Sequence, residues 1–133
     1  MAETLHFELV SPERLLMSAE VEMVVVPGAE GDFGVMPRHA PLVSTLRAGV
    51  IEVWEDGAVT RRIYARGGFA EVTTTGLTIL AEEAVPVAEI DRERLAQRMC
   101  DAEEDLRDAK DDDRRHRAGQ EIERLQAMVD AAA

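Results

Sequence analysis

The side chains able to act as nucleophiles, general bases or metal ligands are few and poorly spaced for it. His6, His39 and His116 are the only histidines. No two stand in the His-x-His or His-x-x-x-His spacing that sets paired imidazoles on one face of a strand or helix. A metal-dependent β-barrel enzyme, the catalytic reading, would have to draw most of its ligands from carboxylates. Cys100 follows Met99 in a helical pattern, where a small, partly buried thiol is expected. Lys110 is the only lysine, so the first hundred residues hold no amine for Schiff-base chemistry. Glu82 and Glu83 are adjacent, and neighbours in a strand point to opposite faces, which makes them a poor acid/base pair. Asp32-Phe33-Gly34 matches a kinase magnesium motif, but a chain of 133 residues is too short for a kinase and lacks a His-Arg-Asp loop. Gly28-x-x-Gly31-x-x-Gly34 has no Gly-Lys-Ser/Thr ending and carries Glu30 and Asp32, which would repel phosphate, so it reads as a turn. No catalytic constellation survives, and a non-catalytic protein is expected.

The elements that carry these residues divide into two kinds. Leu5, Phe7 and Leu9 alternate with His6 and Glu8, and Val21, Met23 and Val25 alternate with Glu22 and Val24, both at strand period. Further strands are expected at Leu42 to Leu46, Val50 to Trp54, Val59 to Ala65, Phe69 to Thr73 and Leu77 to Ala81. Asp56-Gly57 signals a hairpin. Gly28, Gly31 and Gly34, with Pro27 and Pro37, mark a long turn, and Thr75-Gly76 a short one. Gly67-Gly68 permits positive backbone angles or close approach of another backbone. Trp54 and Tyr64 read as ordinary sandwich residues, and His39, held between Pro37 and Pro41, as a loop histidine with a fixed direction. From Ile90 onward, Leu95, Met99, Ala102 and Leu106 recur at helical spacing, as do Ala118, Ile122, Leu125 and Val129. Asp91 is the expected cap of the first helix, with Ile90 and Leu95 as its hydrophobic staple. Lys110 to Asp113 is the expected connection. The fold class is therefore α+β: an all-β sandwich over residues 1–88, then an antiparallel two-helix hairpin over 89–133. Two narrow stripes bury few large side chains, so the hairpin alone is expected to be marginal and to lean on the β part or on a partner.

Charge restricts the partners. The formal net charge is −12, which argues against nucleic acid and against polybasic docking on anionic lipid. No apolar run approaches the roughly 20 residues a membrane-spanning helix requires, so direct membrane insertion is not expected. One cysteine suits a reducing compartment. The first residues have neither the basic start and apolar stretch of a secretory signal nor the Arg-rich character of a transit peptide.

The stretch from Gly31 to Val50, reading Gly-Asp-Phe-Gly-Val-Met-Pro-Arg-His-Ala-Pro-Leu-Val-Ser-Thr-Leu-Arg-Ala-Gly-Val, closely resembles the signature of the epsilon subunits of F-type ATP synthases. Gly67-Gly68-Phe69-Ala70-Glu71-Val72 resembles a second hallmark of that family. With Leu9-Val10-Ser11-Pro12-Glu13 and the terminal hairpin, the resemblance covers essentially the whole chain.

This resemblance implies a sandwich of about ten strands and two helices. It further implies docking on the gamma subunit and on the ring of c subunits, in a complex that couples proton flow to ATP synthesis through rotation. The subunit would be a non-catalytic piece of rotor, peripheral at the cytoplasmic face of a bacterial inner membrane, and its helices would regulate ATP hydrolysis. By position in the matching loop, Glu30, Asp32 and His39 are expected toward the c-ring loops and the gamma foot. The helices resemble the family's inhibitory hairpin, which implies that Arg114, Arg115, Arg117 and Arg124 meet acidic surface of the alpha and beta subunits; a solvated helix face is the alternative. Ile90-Asp91-Arg92-Glu93-Arg94 resembles the Ile/Leu-Asp-x-x-Arg-Ala signature of ATP-sensing members, with Leu95 in place of the final Ala. That likeness nominates Asp91 and Arg94 for a regulatory ATP with its magnesium, whereas capping and the staple explain Ile90, Asp91 and Leu95 without a ligand. A stand-alone ATP-sensing module is the alternative function.

Overall fold

A computed structural model describes residues 3–132. Ten strands run β1 Leu5–Val10, β2 Leu15–Val21, β3 Met23–Gly28, β4 Gly31–Val35, β5 Leu42–Thr45, β6 Gly49–Glu55, β7 Ala58–Arg66, β8 Phe69–Val72, β9 Gly76–Leu80 and β10 Glu83–Pro86. A 3₁₀ turn, Val87–Glu89, precedes α1 Arg92–Asp108 and α2 Asp112–Ala132. The chain divides into two compact units between Pro86 and Val87.

The strands form two five-stranded sheets, ordered β2-β1-β9-β8-β5 and β10-β7-β6-β3-β4. All neighbours are antiparallel except β1 and β9. The period-two pattern of β1 sends Leu5, Phe7 and Leu9 inward, where they meet Val24, Val26, Ile51, Val53, Leu77 and Ile79 in a single core. Each such side chain contributes about 1.5 to 3 kcal/mol on full burial.

Four strands, β2, β3, β4 and β10, depart from the sequence expectation. Val21, Met23 and Val25 do not share a strand: the chain turns a corner at Glu22, between β2 in one sheet and β3 in the other, and Val24 and Val26 face the core instead. The corner shifts the alternation by one residue, which transfers burial to the other face. The long glycine turn is also shorter than expected. Gly31 and Gly34 lie within β4, paired with Gly28 and Val25, which leaves Ala29 and Glu30 as the turn. A β-carbon on Gly34 would stand 3.5 Å from Met23 Sδ, an ordinary contact, so this glycine is a plain ladder position. β10 is a short edge strand ending in Pro86, a position where a missing N–H costs no ladder bond. The Asp56-Gly57 hairpin forms as expected, with positive φ at both residues.

In the second unit, Asp91 caps α1, its carboxylate accepting from the Arg94 N–H at 3.1 Å. Asp111 accepts from the Arg114 N–H at 2.8 Å and caps α2, so the connection is three residues, 109–111, rather than Lys110 to Asp113. Leu95, Ala102, Ala118, Leu125 and Met128 are buried. Leu106 and Val129, expected in the stripes, are exposed. The start of α2 reads Arg114-Arg115-His116-Arg117 and carries no apolar residue, and near its end Met128 rather than Val129 is buried. Cys100 is exposed, not partly buried; at 100° per residue it falls about 140° from Leu95 around the helix.

Candidate functional site

The second hallmark segment determines how β8 is seated. Gly67 and Gly68 have φ of +71° and +90°, and a β-carbon on Gly68 would stand 1.7 Å from the Leu80 carbonyl oxygen. The glycine pair thus lets β8 start tight against the end of β9, with Phe69 opposite Leu80. Alternation buries Ala70 and Val72 and turns Phe69 and Glu71 outward.

One row of cross-strand partners then crosses the outer face of this sheet: Thr45, Phe69, Leu80, Val10 and Leu15. Phe69 is 38% exposed, Leu80 39% and Leu15 56%. At about 4.8 Å per strand the row spans ~19 Å. The next row, Val43, Glu71, Thr78, Glu8 and Ser18, is mostly polar. A contiguous apolar stripe beside charge, on a chain of net charge −12, has the character of a protein-docking surface. Sequence reading named Phe69 within a motif but missed the row, because pairings between distant strands bring it together. The exposed Leu15 beside buried Met17 was the available signal.

Beyond this stripe lies a polar cluster. His6 Nδ1 is 3.1 Å from Glu20 Oε1 and Nε2 is 3.0 Å from Glu8 Oε1, and Thr4 donates to the second Glu20 oxygen. The hydrogen bonds that the Glu8 and then the Glu20 carboxylate accept from the ring raise the imidazole above its ordinary 6.5.

The residues expected at the rotor contacts fall into two places. Glu30 occupies the β3–β4 turn and is exposed. Asp32, on β4, is ion-paired with Arg47. Arg47 belongs to the crossing from β5 to β6, which stitches the two sheets: its N–H donates to the Pro27 carbonyl at 3.0 Å and the Leu46 N–H to the Gly68 carbonyl at 3.1 Å. His39 lies in the loop beyond the other end of β4, separated from Glu30 by roughly 13 Å of strand. Its Nδ1–H donates to the Ala40 carbonyl at 2.7 Å.

The four arginines of α2 are not gathered into a basic patch. Arg114 pairs with Asp111 at 3.4 Å, Arg115 with Asp112 at 3.2 Å and Arg124 with Glu121 at 3.3 Å. Arg114 and Arg117 share a cleft of about 370 Å³ between the helices with Asp105, Asp108 and Glu121, floored by alanines. Glu121 also takes Arg98 of α1 at 3.2 Å, a clamp across the hairpin. Asp91 and Arg94 come together through the cap itself, and both side chains face solvent in the first turn of α1. Glu82 and Glu83 are closer in effect than strand alternation implies. Glu82 lies just before β10, and Arg66 reaches both, at 3.5 and 3.2 Å.

No helix among the described residues is long and apolar enough to cross a membrane. The sequence matches the family described as ATP synthase, Delta/Epsilon chain, beta-sandwich domain over residues 4–87. It is 54% identical over 128 residues to the ATP synthase epsilon chain of Parvibaculum lavamentivorans, covering 96% of this chain and 97% of that one. It is 55% identical over 133 residues to the same subunit of Maricaulis maris, covering 100% and 99%. A chain in a Euglena gracilis mitochondrial ATP synthase structure, of OSCP, F1 and c-ring, superposes with a TM-score of 0.84 at 26% identity, covering 98% of this chain and 82% of that one. With two sheets, a glycine-seated β8 and a terminal pair of helices matched over their whole length, this chain belongs to the family of ATP synthase epsilon chains.

Proposed function

We propose that this chain works as the epsilon subunit in the rotor of an F-type ATP synthase: it grips the gamma subunit, faces the ring of c subunits and carries no catalytic step. The complex would lie at the cytoplasmic face of a bacterial inner membrane, with this subunit peripheral. The observation that carries the reading is the Phe69, Leu80, Val10 and Leu15 row. It offers a broad apolar docking face on a body whose two sheets are stitched at Leu46 and Arg47, and such a body transmits torque without shearing. The family relatives are epsilon chains of ATP synthases, and the solved complex that contains the similar chain holds F1 and a c-ring. In this reading Glu30 and Asp32 turn toward the c-ring loops and His39 toward the gamma foot. Their exposed ion pairs contribute little energy and chiefly fix register.

The hairpin is the regulatory part, with Arg114, Arg115, Arg117 and Arg124 meeting acidic surface of the alpha and beta subunits. The pairs of Arg114 with Asp111 and Arg115 with Asp112 are solvent-exposed and worth at most about 1 kcal/mol each, so exchange for partner carboxylates is cheap there, while the half-buried Arg124–Glu121 pair is held more firmly. Two experiments test the proposal. Gamma, purified from detergent-solubilised membranes, should bring this chain down, and gamma free of it would refute the docking. Removal of residues 87–133 should leave gamma binding intact, since all ten strands precede Val87, and should raise ATP hydrolysis by the assembled complex. Unchanged hydrolysis would show that the hairpin is not the brake.

A further inference from the structure

The outer face of the other sheet carries a feature that the rotor reading does not use. Met23 pairs with Trp54 across β3 and β6, and with Met36 and Pro37, just past β4, they line an open cleft of about 440 Å³ whose remaining lining residues are Glu3 and Glu22. Met36 is 59% exposed. The Trp54 indole N–H is shielded from solvent and has no acceptor among the described residues. One Glu22 oxygen accepts from the Gly57 N–H at 2.7 Å, which holds that carboxylate at the rim and leaves its second oxygen for another donor. Glu3 already meets a guanidinium, that of Arg38 at 2.7 Å, in a pair whose side chains are 57% and 80% exposed.

We propose that this cleft binds an arginine side chain of a partner polypeptide. The occupant follows from charge and shape. A floor of indole and two thioethers is apolar, polarizable and adaptable. A planar guanidinium stacks on an indole face better than any other protein cation. Two carboxylates at the rim supply the countercharge, and the exposed Arg38–Glu3 pair is weak enough to be exchanged. A neutral or acidic segment would find the floor but not the rim.

Trp54 is the only tryptophan, so a ¹H–¹⁵N spectrum of the full chain holds one indole signal. Titration with acetyl-Gly-Arg-Gly-amide at low salt should shift that signal saturably, together with the amides of Met23 and Met36. The same peptide with citrulline, a neutral isostere, should bind at least about fivefold more weakly, and added salt should weaken the arginine peptide. The E3Q/E22Q variant, which keeps an oxygen for the Gly57 N–H, should lose at least about fivefold in affinity with its spectrum otherwise preserved. Equal binding of the citrulline peptide, tighter binding of tetramethylammonium, undiminished binding by the variant, or shifts confined to other faces would each overturn the proposal.

Discussion

Truncating Phe69 tests the docking stripe at its centre. An aromatic side chain of about 200 Å² that is 38% exposed offers a partner ~75 Å², worth roughly 2 kcal/mol at 25 cal/mol/Å². Phe69→Ala should therefore weaken binding to purified gamma by about 25-fold, since 1.4 kcal/mol is a tenfold change. Leu15→Ala, at 56% exposure on the edge strand, should cost about 1 kcal/mol. Glu71→Ala, one row away on the same face, should change affinity less than about threefold. Calorimetric titration reads all three, and a thermal melt of each variant shows that it is folded at the titration temperature. A folded Phe69→Ala protein that binds gamma as tightly as the parent would refute the assignment of this face, whatever else binds there.

Three further outcomes follow from local geometry. Gly68→Ala places a β-carbon against the Leu80 carbonyl at a φ of +90°, and should cost more than about 3 kcal/mol in urea unfolding; a loss below 1 kcal/mol would mean that β8 and β9 part without strain. His6 should titrate above 6.5 by NMR and move back toward 6.5 in E20Q. Because its folded pKa is raised, the stability it contributes is fully present below the unfolded value and is lost as pH rises through the folded one, and an unshifted His6 would contradict the cluster. Asp91→Ala should cost α1 about 1 kcal/mol through the lost cap, read as helix melting by circular dichroism. Calorimetry with ATP on the parent and on Arg94→Ala separates capping from nucleotide binding, since heat unchanged in the variant removes Arg94 as a ligand.

The legible parts of the fold were those in which local pattern and pairing agree. Leu5, Phe7 and Leu9 alternate cleanly and face inward, Asp56-Gly57 makes its turn, and Asp91 caps its helix. β2 was hidden because a register shift opposite Val10 breaks its alternation and leaves Leu15 outside and Leu16 partly buried. β4 was hidden because its glycines are pattern-neutral: Gly34 sits in a ladder opposite Val25 rather than marking a turn. The corner at Glu22 is tertiary, a choice between sheets that no window of sequence contains. The functional surfaces follow the same division. Glu30, Asp32 and His39 are readable as loop residues of a family motif, yet their separation along β4 appears only once the strand is recognised. The apolar row needs four pairings among strands up to seventy residues apart, and the Met23, Met36 and Trp54 cleft needs three segments brought together.

The most direct test follows the subunit while the machine turns. With a fluorophore or bead fixed to the sandwich at an engineered cysteine in place of Thr74, exposed in the turn between β8 and β9 at the end away from Phe69, in a Cys100→Ser background, and the alpha and beta subunits immobilised, single-molecule recording during ATP hydrolysis should show the label rotating stepwise with gamma. A label that stays fixed while gamma rotates would contradict the account.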